Sequence, residues 1–172
     1  GMFNVDGAHS SVAFSIKHIV TATRGTINID SGYVNFDAAN GPKIFIQLDM
    51  TSINTQNEFR DGHLKDKPEF FDVAKFKKAS FEATTIEKNP EAGMYAYIAK
   101  GKLTMKGVTK DAEMKFNYSG VSAQDWDGKK VDVAGFEGET TINRVDFGIG
   151  EAGGLGDNVS VEFTLEAGQD KK

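Results

Sequence analysis

Apolar and polar residues alternate with a period of two along most of this chain. In the segment 11–18, Val12, Phe14, Ile16 and His18 fall on one face and mostly polar residues on the other. The same alternation recurs in "KIFIQLDM", "YAYIAKGKLTM" and "NVSVEFTLEA", and more weakly in "GTINID", "GYVNFD", "SFEATTIE", "DAEMKFNYSG" and "VDVAGFEGET". Because successive side chains of a strand point to opposite faces, the pattern predicts roughly eight to ten half-buried β-strands.

Turn signals separate these segments. They lie at Ser31-Gly32, Asn40-Gly41-Pro42, Asn89 to Gly93, Lys106-Gly107 and Asp127-Gly128. Short strands with turns at such spacing are typical of an antiparallel barrel or a sandwich, and the alternation alone leaves both open. No linker composition divides the 172 residues, so we expect residues 1–172 to form a single domain.

The segment 58–71, "EFRDGHLKDKPEFF", does not alternate. Asn57 is a suitable helix N-cap and Pro68 prevents a helix from continuing, so the pattern predicts a short helix near residues 57–72. Its apolar side chains need an apolar surface to cover, and the open end of a barrel supplies one. The fold class expected is therefore all-β, an antiparallel barrel of about eight strands with a short helical lid.

Composition narrows the function classes. A net charge of −5 with scattered basic residues disfavours a nucleic-acid partner, and no apolar run reaches the ~18 residues of a transmembrane segment. The absence of cysteine removes thiol catalysis and thiolate metal sites. No metal-ligand, nucleophile or phosphate-binding motif surrounds His9, His18 or His63, so no catalytic residue, metal or cofactor is expected. An enzyme that uses inward histidine and carboxylate side chains on a lipid-like substrate is the alternative.

Four segments carry a family resemblance. "DGAHSSVAFSIKH", "DMTSINTQNEFRDGHLKDKPEFFD", "GKLTMKGVTK" and "INRVDFG" occur in an order and spacing that resemble the YceI-like family, from about Phe3 to Ala167. Phe3 stands where relatives tend to have Trp, and Phe76-Lys77 where they tend to have Tyr-Pro. The resemblance implies a lipocalin-like barrel that binds a long-chain apolar lipid, an isoprenoid quinone or polyprenyl phosphate, for storage, sequestration or transport. From the pattern alone, an interior packed solid with side chains is the alternative.

A lipid carrier needs polar recognition as well as an apolar interior, because a membrane offers the alkyl tail about the same environment. His18 has the same phase as the apolar residues of its strand, so we expect it to face the interior. Arg60 either braces the lid together with Asp61 or binds the lipid head. Arg144 is expected to brace the structure through Asp146 or Asp61. The candidate ligand-binding residues are Phe14, Ile16, His18, Phe36, Ile46, Leu48, Phe59, Arg60, Leu64, Phe70, Phe71, Leu103 and Met105.

Compartment and assembly depend on further assumptions. If Gly1 is a tag remnant before a native start at Met2, the sequence predicts a cytoplasmic protein. If a leader was removed ahead of this sequence, a periplasmic location is expected instead. Closure of the barrel disfavours partners that add strands to an exposed edge, while a homodimer through one barrel face is compatible with it.

Overall fold

The computed structural model describes residues 1–39, 41–91, 93–150 and 155–170. Within these residues the chain forms nine strands, one α-helix and two short 3-10 helices. The helix is α1 (Glu58–Asp66), and the 3-10 helices are Gly7–His9 and Arg144–Phe147. The strands are β1 (Met2–Val5), β2 (Ser11–His18), β3 (Thr21–Asn35), β4 (Lys43–Asn54), β5 (Lys78–Lys88), β6 (Tyr97–Met105), β7 (Val108–Trp126), β8 (Lys129–Asn143) and β9 (Leu155–Asp170).

The strands form one antiparallel sheet that closes on itself. Neighbours follow the order β1-β3-β2-β9-β8-β7-β6-β5-β4, and β4 pairs back with β3. Both β1 and β2 lie between β3 and β9, each along a different part of those strands. The described strands therefore fill eight positions of a ring, which confirms the predicted antiparallel barrel.

One predicted turn is wrong. Ser31-Gly32 does not reverse the chain, because β3 runs through it to Asn35 with a register shift between Ile29 and Ser31. A Cβ atom at position 32 would lie 2.7 Å from the carbonyl oxygen of Phe45 on β4, so glycine here permits close approach of two strands. The turns at Lys106-Gly107 and Asp127-Gly128 join strands as predicted. The other two predicted turns each include a residue outside the described ones, Asn40 or Ala92.

The predicted helix forms but is shorter than the segment 57–72. The Asn57 side chain accepts a hydrogen bond from the Arg60 backbone N–H (2.9 Å), which confirms the N-cap, and Lys67 ends the helix before Pro68. Leu64 and, after the helix, Phe71 pack with Met50 of β4, so the segment covers one end of the barrel. Within the described residues, no helix combines the length and apolar character needed to cross a membrane.

The expectation that Phe59 is buried against the barrel is wrong. Its side chain is 75% exposed, and its ring lies beside His63 with the ring centres 4.2 Å apart. Phe59 precedes Leu64 by five positions, which places it about 140° around the helix from that contact. A helix of nine residues with one face toward the barrel leaves Phe59 in solvent.

Candidate functional site

An apolar cavity of about 110 Å³ lies inside the barrel. Every strand from β2 to β9 contributes at least one lining side chain, because inward positions alternate along each strand. Among the described lining residues only Ser80 and Thr140 are polar. The full lining set is Val12, Val34, Ile44, Ile46, Leu48, Ser80, Phe81, Ala99, Leu103, Met114, Phe116, Phe136, Thr140, Ile142, Val161, Phe163 and Leu165.

The α1 end of the barrel is tied together by polar contacts between three segments. The Lys106 ammonium, in the β6–β7 turn, donates to the Pro68 carbonyl (2.5 Å) and to the Gly148 carbonyl (2.8 Å). The Gly150 backbone N–H donates to the Glu69 carbonyl (2.6 Å). These bonds link the segment after α1 to the β6–β7 turn and to the segment that follows β8, and so hold this end together.

Arg144 organises the segment after β8 from a buried position. Its side chain is 3% exposed. The Nε atom donates to the Gly156 carbonyl (2.8 Å), Nη1 to the Ile149 carbonyl (2.8 Å) and Nη2 to the Leu155 carbonyl (3.2 Å). Of the described carboxylates, that of Asp157 lies 3.7 Å from Nη2. Among the described residues, Arg144 thus braces three backbone carbonyls and lies near the Asp157 carboxylate, and the predicted partners Asp146 and Asp61 do not bind it.

Aromatic rings fill the opposite end of the barrel. Phe36 follows the end of β3, whereas α1 follows the end of the antiparallel neighbour β4, so the two features lie at opposite ends. The Phe36 ring contacts the rings of Phe3 (5.7 Å between centres), Tyr118 (5.8 Å) and Phe136 (6.1 Å). Phe136 also lines the cavity. Phe36, itself 37% exposed, therefore lies at the outer side of an aromatic cluster instead of on the cavity wall.

The structure brings some of the predicted ligand-binding residues together. Ile46, Leu48 and Leu103 line the cavity. A second apolar cluster beneath the α1 end contains Phe14, Leu64, Phe71 and Met105, together with Leu48. Ile16 and Phe70 are half-buried and lie outside the described cavity lining. Ligand contact by any of these residues remains a prediction.

His18 is not enclosed by the barrel, although its sequence phase predicts an inward position. It is exposed at the end of β2. β2 keeps a regular register with β3 as far as the His18–Thr21 pair, so its phase does not change before position 18. His18 is exposed because it is the last residue of β2, at the turn to β3 where residues 17–22 are all exposed. The alternation predicts the face of a strand but not how far the buried core extends along it.

Arg60 and Asp61 both bind Thr55, the residue that follows β4. The Arg60 guanidinium donates to the Thr55 hydroxyl (2.7 Å, from Nε) and to the Thr55 carbonyl (2.7 Å, from Nη2). The Asp61 carboxylate accepts from the Thr55 backbone N–H (2.9 Å). These bonds fix the start of α1 to the end of β4, as the bracing alternative predicts, and a contact between Arg60 and a lipid head remains a prediction.

A polar cluster on the outer surface joins Asp6, His9 and Glu166. The hydrogen bond from the His9 ring to the Asp6 carboxylate (2.7 Å) raises the pKa of His9 and lowers the pKa of Asp6. Possible metal-ligand atoms of the three residues lie within 4.8 Å of one another. A metal there would have to displace the ring proton, so the absence of a bound transition metal stays our prediction. Sequence analysis does not predict this cluster, because Glu166 is distant along the chain from Asp6 and His9.

Comparisons with known proteins agree with this fold. The family model for a YceI-like domain matches residues 3–167. A UPF0312 protein of Pseudomonas syringae pv. tomato is 34% identical over 169 residues, covering 96% of this chain and 84% of the relative. The crystal structure of Burkholderia cenocepacia BcnA superposes with a TM-score of 0.75 at 23% identity, covering 95% of this chain and 99% of that one.

A further structural neighbour is a polyisoprenoid binding domain from Saccharophagus degradans, implicated in plant cell wall breakdown. It has a TM-score of 0.65 at 16% identity and covers 96% of this chain and 97% of that one. At such identities the likeness to solved structures concerns the fold, while the family match rests on the sequence. The chain belongs to the YceI-like family.

Proposed function

We propose that this protein binds a long-chain apolar lipid, an isoprenoid quinone or a polyprenyl phosphate, inside the barrel and holds it for storage, sequestration or transport. The observation that carries the proposal is the apolar cavity to which eight strands contribute. The polyisoprenoid-binding function of the Saccharophagus degradans domain supports the same chemistry through a shared fold. An extended apolar chain is the ligand that gains most from such an interior, because the cavity removes its apolar surface from water.

The size of the cavity determines how a long chain is accommodated. Ligand pockets typically measure about 300–1,000 Å³, and this cavity measures about 110 Å³. A long chain therefore requires lining side chains to move. Met114 is unbranched and adapts to irregular shapes, and the rings of Phe116 and Phe136 can turn about their side-chain bonds. We infer that the barrel wall stays fixed while its contents rearrange around the ligand.

Binding without catalysis fits the chemistry of the cavity. Among the described lining residues none has a carboxylate, imidazole or ammonium group. His9 and His18 are exposed, and the His63 ring lies beside the Phe59 ring on α1. General acid–base catalysis requires a titratable group within hydrogen-bond reach of the reacting atom. The alternative of an enzyme acting on a lipid-like substrate therefore has no support from the described part of the cavity.

Titration with cis-parinaric acid, a polyene fatty acid whose fluorescence rises in apolar surroundings, tests this proposal. We expect saturable binding of about one molecule per chain, since one cavity of this kind lies in the barrel. Polyprenyl phosphate or an isoprenoid quinone should displace the probe, and butyl phosphate at equal concentration should not, because burial of the chain supplies most of the affinity. Fluorescence that does not saturate would overturn the proposal.

A further inference from the structure

Near the α1 end, β7 and β8 are not paired with each other, which leaves a gap in the barrel wall. β7 pairs with β6 from Val108 onward, but its pairing with β8 begins only at Lys115, opposite Glu139. β8 in turn continues its pairing with β9 to Asn143. Residues 108–114 of β7 and 140–143 of β8 therefore lack a strand partner on their facing sides. We call the space between these two segments the β7–β8 slot.

The slot lies between the cavity and a cleft on the outer surface. The cleft measures about 1100 Å³, and Leu103, Thr140 and Ile142 line both this cleft and the cavity. The Thr140 hydroxyl donates to the Glu113 carbonyl (2.7 Å), a side-chain bond at the narrow end of the slot. Backbone N–H and C=O groups on the facing edges of the slot lack the strand partners that they have elsewhere in the barrel. Leu103, Thr140 and Ile142 thus separate an apolar interior from a polar surface at the slot.

A lysine interrupts the inward-facing series of β7 at this slot. Val108, Ala112 and Met114 pack against the barrel core, and Lys110 has the same phase between them. Lys110 is exposed, lines the cleft and lies directly opposite Leu103 in the pairing of β6 with β7. The Lys110 ammonium can bind an anionic group at the slot while the alkyl part of the side chain lies on apolar surface.

The other lysines of the cleft are engaged. Lys102 forms an ion pair with Asp111, and the Lys100 ammonium lies 2.9 Å from the Glu87 carboxylate. Lys115 also lines the cleft, and its ammonium lies 3.2 Å from the carboxylate of Glu91, which is not part of the cleft lining. Within the described residues, Lys110 is the cleft lysine without an ion pair. The cleft also carries the carboxylates of Glu82, Asp111, Glu113, Glu139 and Asp146, of which Asp111 is paired with Lys102. Lys110 is therefore the position among the described cleft residues where an anion meets a cation that no carboxylate already pairs.

We propose that the β7–β8 slot is the portal through which the lipid enters and leaves, and that Lys110 binds an anionic polar end, a carboxylate or phosphate, of the lipid whose chain occupies the cavity. This inference rests on the proposed function. It extends that function by assigning the entry path and by favouring anionic over uncharged lipids. Free backbone groups at the slot supply the remaining hydrogen bonds to the polar end.

Closing the slot tests the portal. The chain has no cysteine, so Glu113→Cys combined with Thr141→Cys introduces a unique pair on the two facing strands. These positions continue the register of the Lys115–Glu139 pair. They can be joined by a disulfide or a short bismaleimide, with the cross-linked fraction verified by mass. The control pair, Ser122→Cys with Val133→Cys, joins β7 and β8 where they are already paired.

We expect the closed slot to slow binding and release of cis-parinaric acid by about tenfold or more, because entry then requires rearrangement of the wall. The control cross-link should leave both rates unchanged, and reduction of the slot disulfide should restore them. Unchanged rates with the slot closed would overturn the portal and direct attention to the aromatic end around Phe36. A wild-type protein that binds no cis-parinaric acid would instead overturn the proposed function itself.

Lys110→Gln tests the polar contact. We expect about fivefold weaker binding of cis-parinaric acid and unchanged binding of its methyl ester, since a single exposed charge contact contributes about 1 kcal/mol. Lys102→Gln is the matched control, because Lys102 already pairs with Asp111. Equal affinities of the acid and the ester for wild-type protein, or an equal loss for both in the Lys110 variant, would contradict the assignment of Lys110.

Discussion

Replacing Ala99 with Leu should weaken lipid binding by about a hundredfold while leaving the barrel folded. Ala99 is 1% exposed and lines the cavity from β6. A cavity of about 150 Å³ can hold benzene, which has six carbon atoms. Leu adds only three carbon atoms to Ala, so the larger side chain fits into the cavity of about 110 Å³ and fills it. We expect the affinity for cis-parinaric acid to fall by about a hundredfold, measured by fluorescence titration, with the free energy of unfolding changed by at most ~1.5 kcal/mol.

Ala123→Leu is the matched control for this variant. Ala123 lies on β7 but is exposed and outside the cavity lining, so the same chemical change should leave both affinity and stability nearly unaltered. Wild-type affinity in the Ala99→Leu protein, with a folded barrel verified by circular dichroism, would show that the ligand lies outside the cavity.

Arg144→Met should produce the largest loss of stability expected of a polar substitution in this chain. Methionine can occupy much of the space of the arginine side chain but donates no hydrogen bond, so the carbonyls of Ile149, Leu155 and Gly156 lose their donors. Buried acceptors left unsatisfied cost about 1–3 kcal/mol each. Because part of this segment reaches solvent, we expect the free energy of unfolding to fall by about 3 kcal/mol in urea denaturation.

An exposed arginine supplies the comparison. Arg24 on β3 is exposed, and Arg24→Met should change the free energy of unfolding by no more than about 0.5 kcal/mol. If the two variants lose similar stability, Arg144 is not the brace that its hydrogen bonds indicate. Loss of lipid binding without loss of stability in Arg144→Met would instead connect this residue to the ligand.

The strand pattern was readable from sequence because alternation reports which face of a strand is buried. It failed where the extent of the core or a close approach of two strands decides the outcome. His18 keeps the phase of Phe14 and Ile16 but lies at the exposed end of β2, and Gly32 lies inside β3 because a glycine there admits the backbone of β4. Both effects depend on the rest of the barrel, so the residues of a single segment cannot reveal them.

The candidate site was predictable only in part for the same reason. Ile46, Leu48 and Leu103 follow from alternation and line the cavity. The separation of β7 from β8 is a property of long-range register, which no local pattern encodes. Lys110 could have been found, since the series Val108, Lys110, Ala112, Met114 already places a cation in an apolar phase.

The location of polar groups bears on how such a protein could take a lipid from a membrane. Burial of the chain gains ~0.8 kcal/mol per methylene relative to water, but a bilayer provides a similar gain. Selective capture must therefore come from the polar end. Ser80 and Thr140 are the polar residues among the described cavity lining, so recognition of a charged head has to occur at the edge of the cavity. The β7–β8 slot with Lys110 is the edge that we assign to this role.

Native mass spectrometry of the purified protein, before and after organic extraction, tests whether the barrel holds a lipid. If the barrel holds a lipid, the protein should show a species heavier than the chain by the mass of one apolar molecule, and extraction should remove that mass and release the lipid. Extracted protein incubated with polyprenyl phosphate should regain one molecule per chain, and the Ala99→Leu variant should not. Protein that carries no apolar molecule and takes up none after incubation would contradict the account.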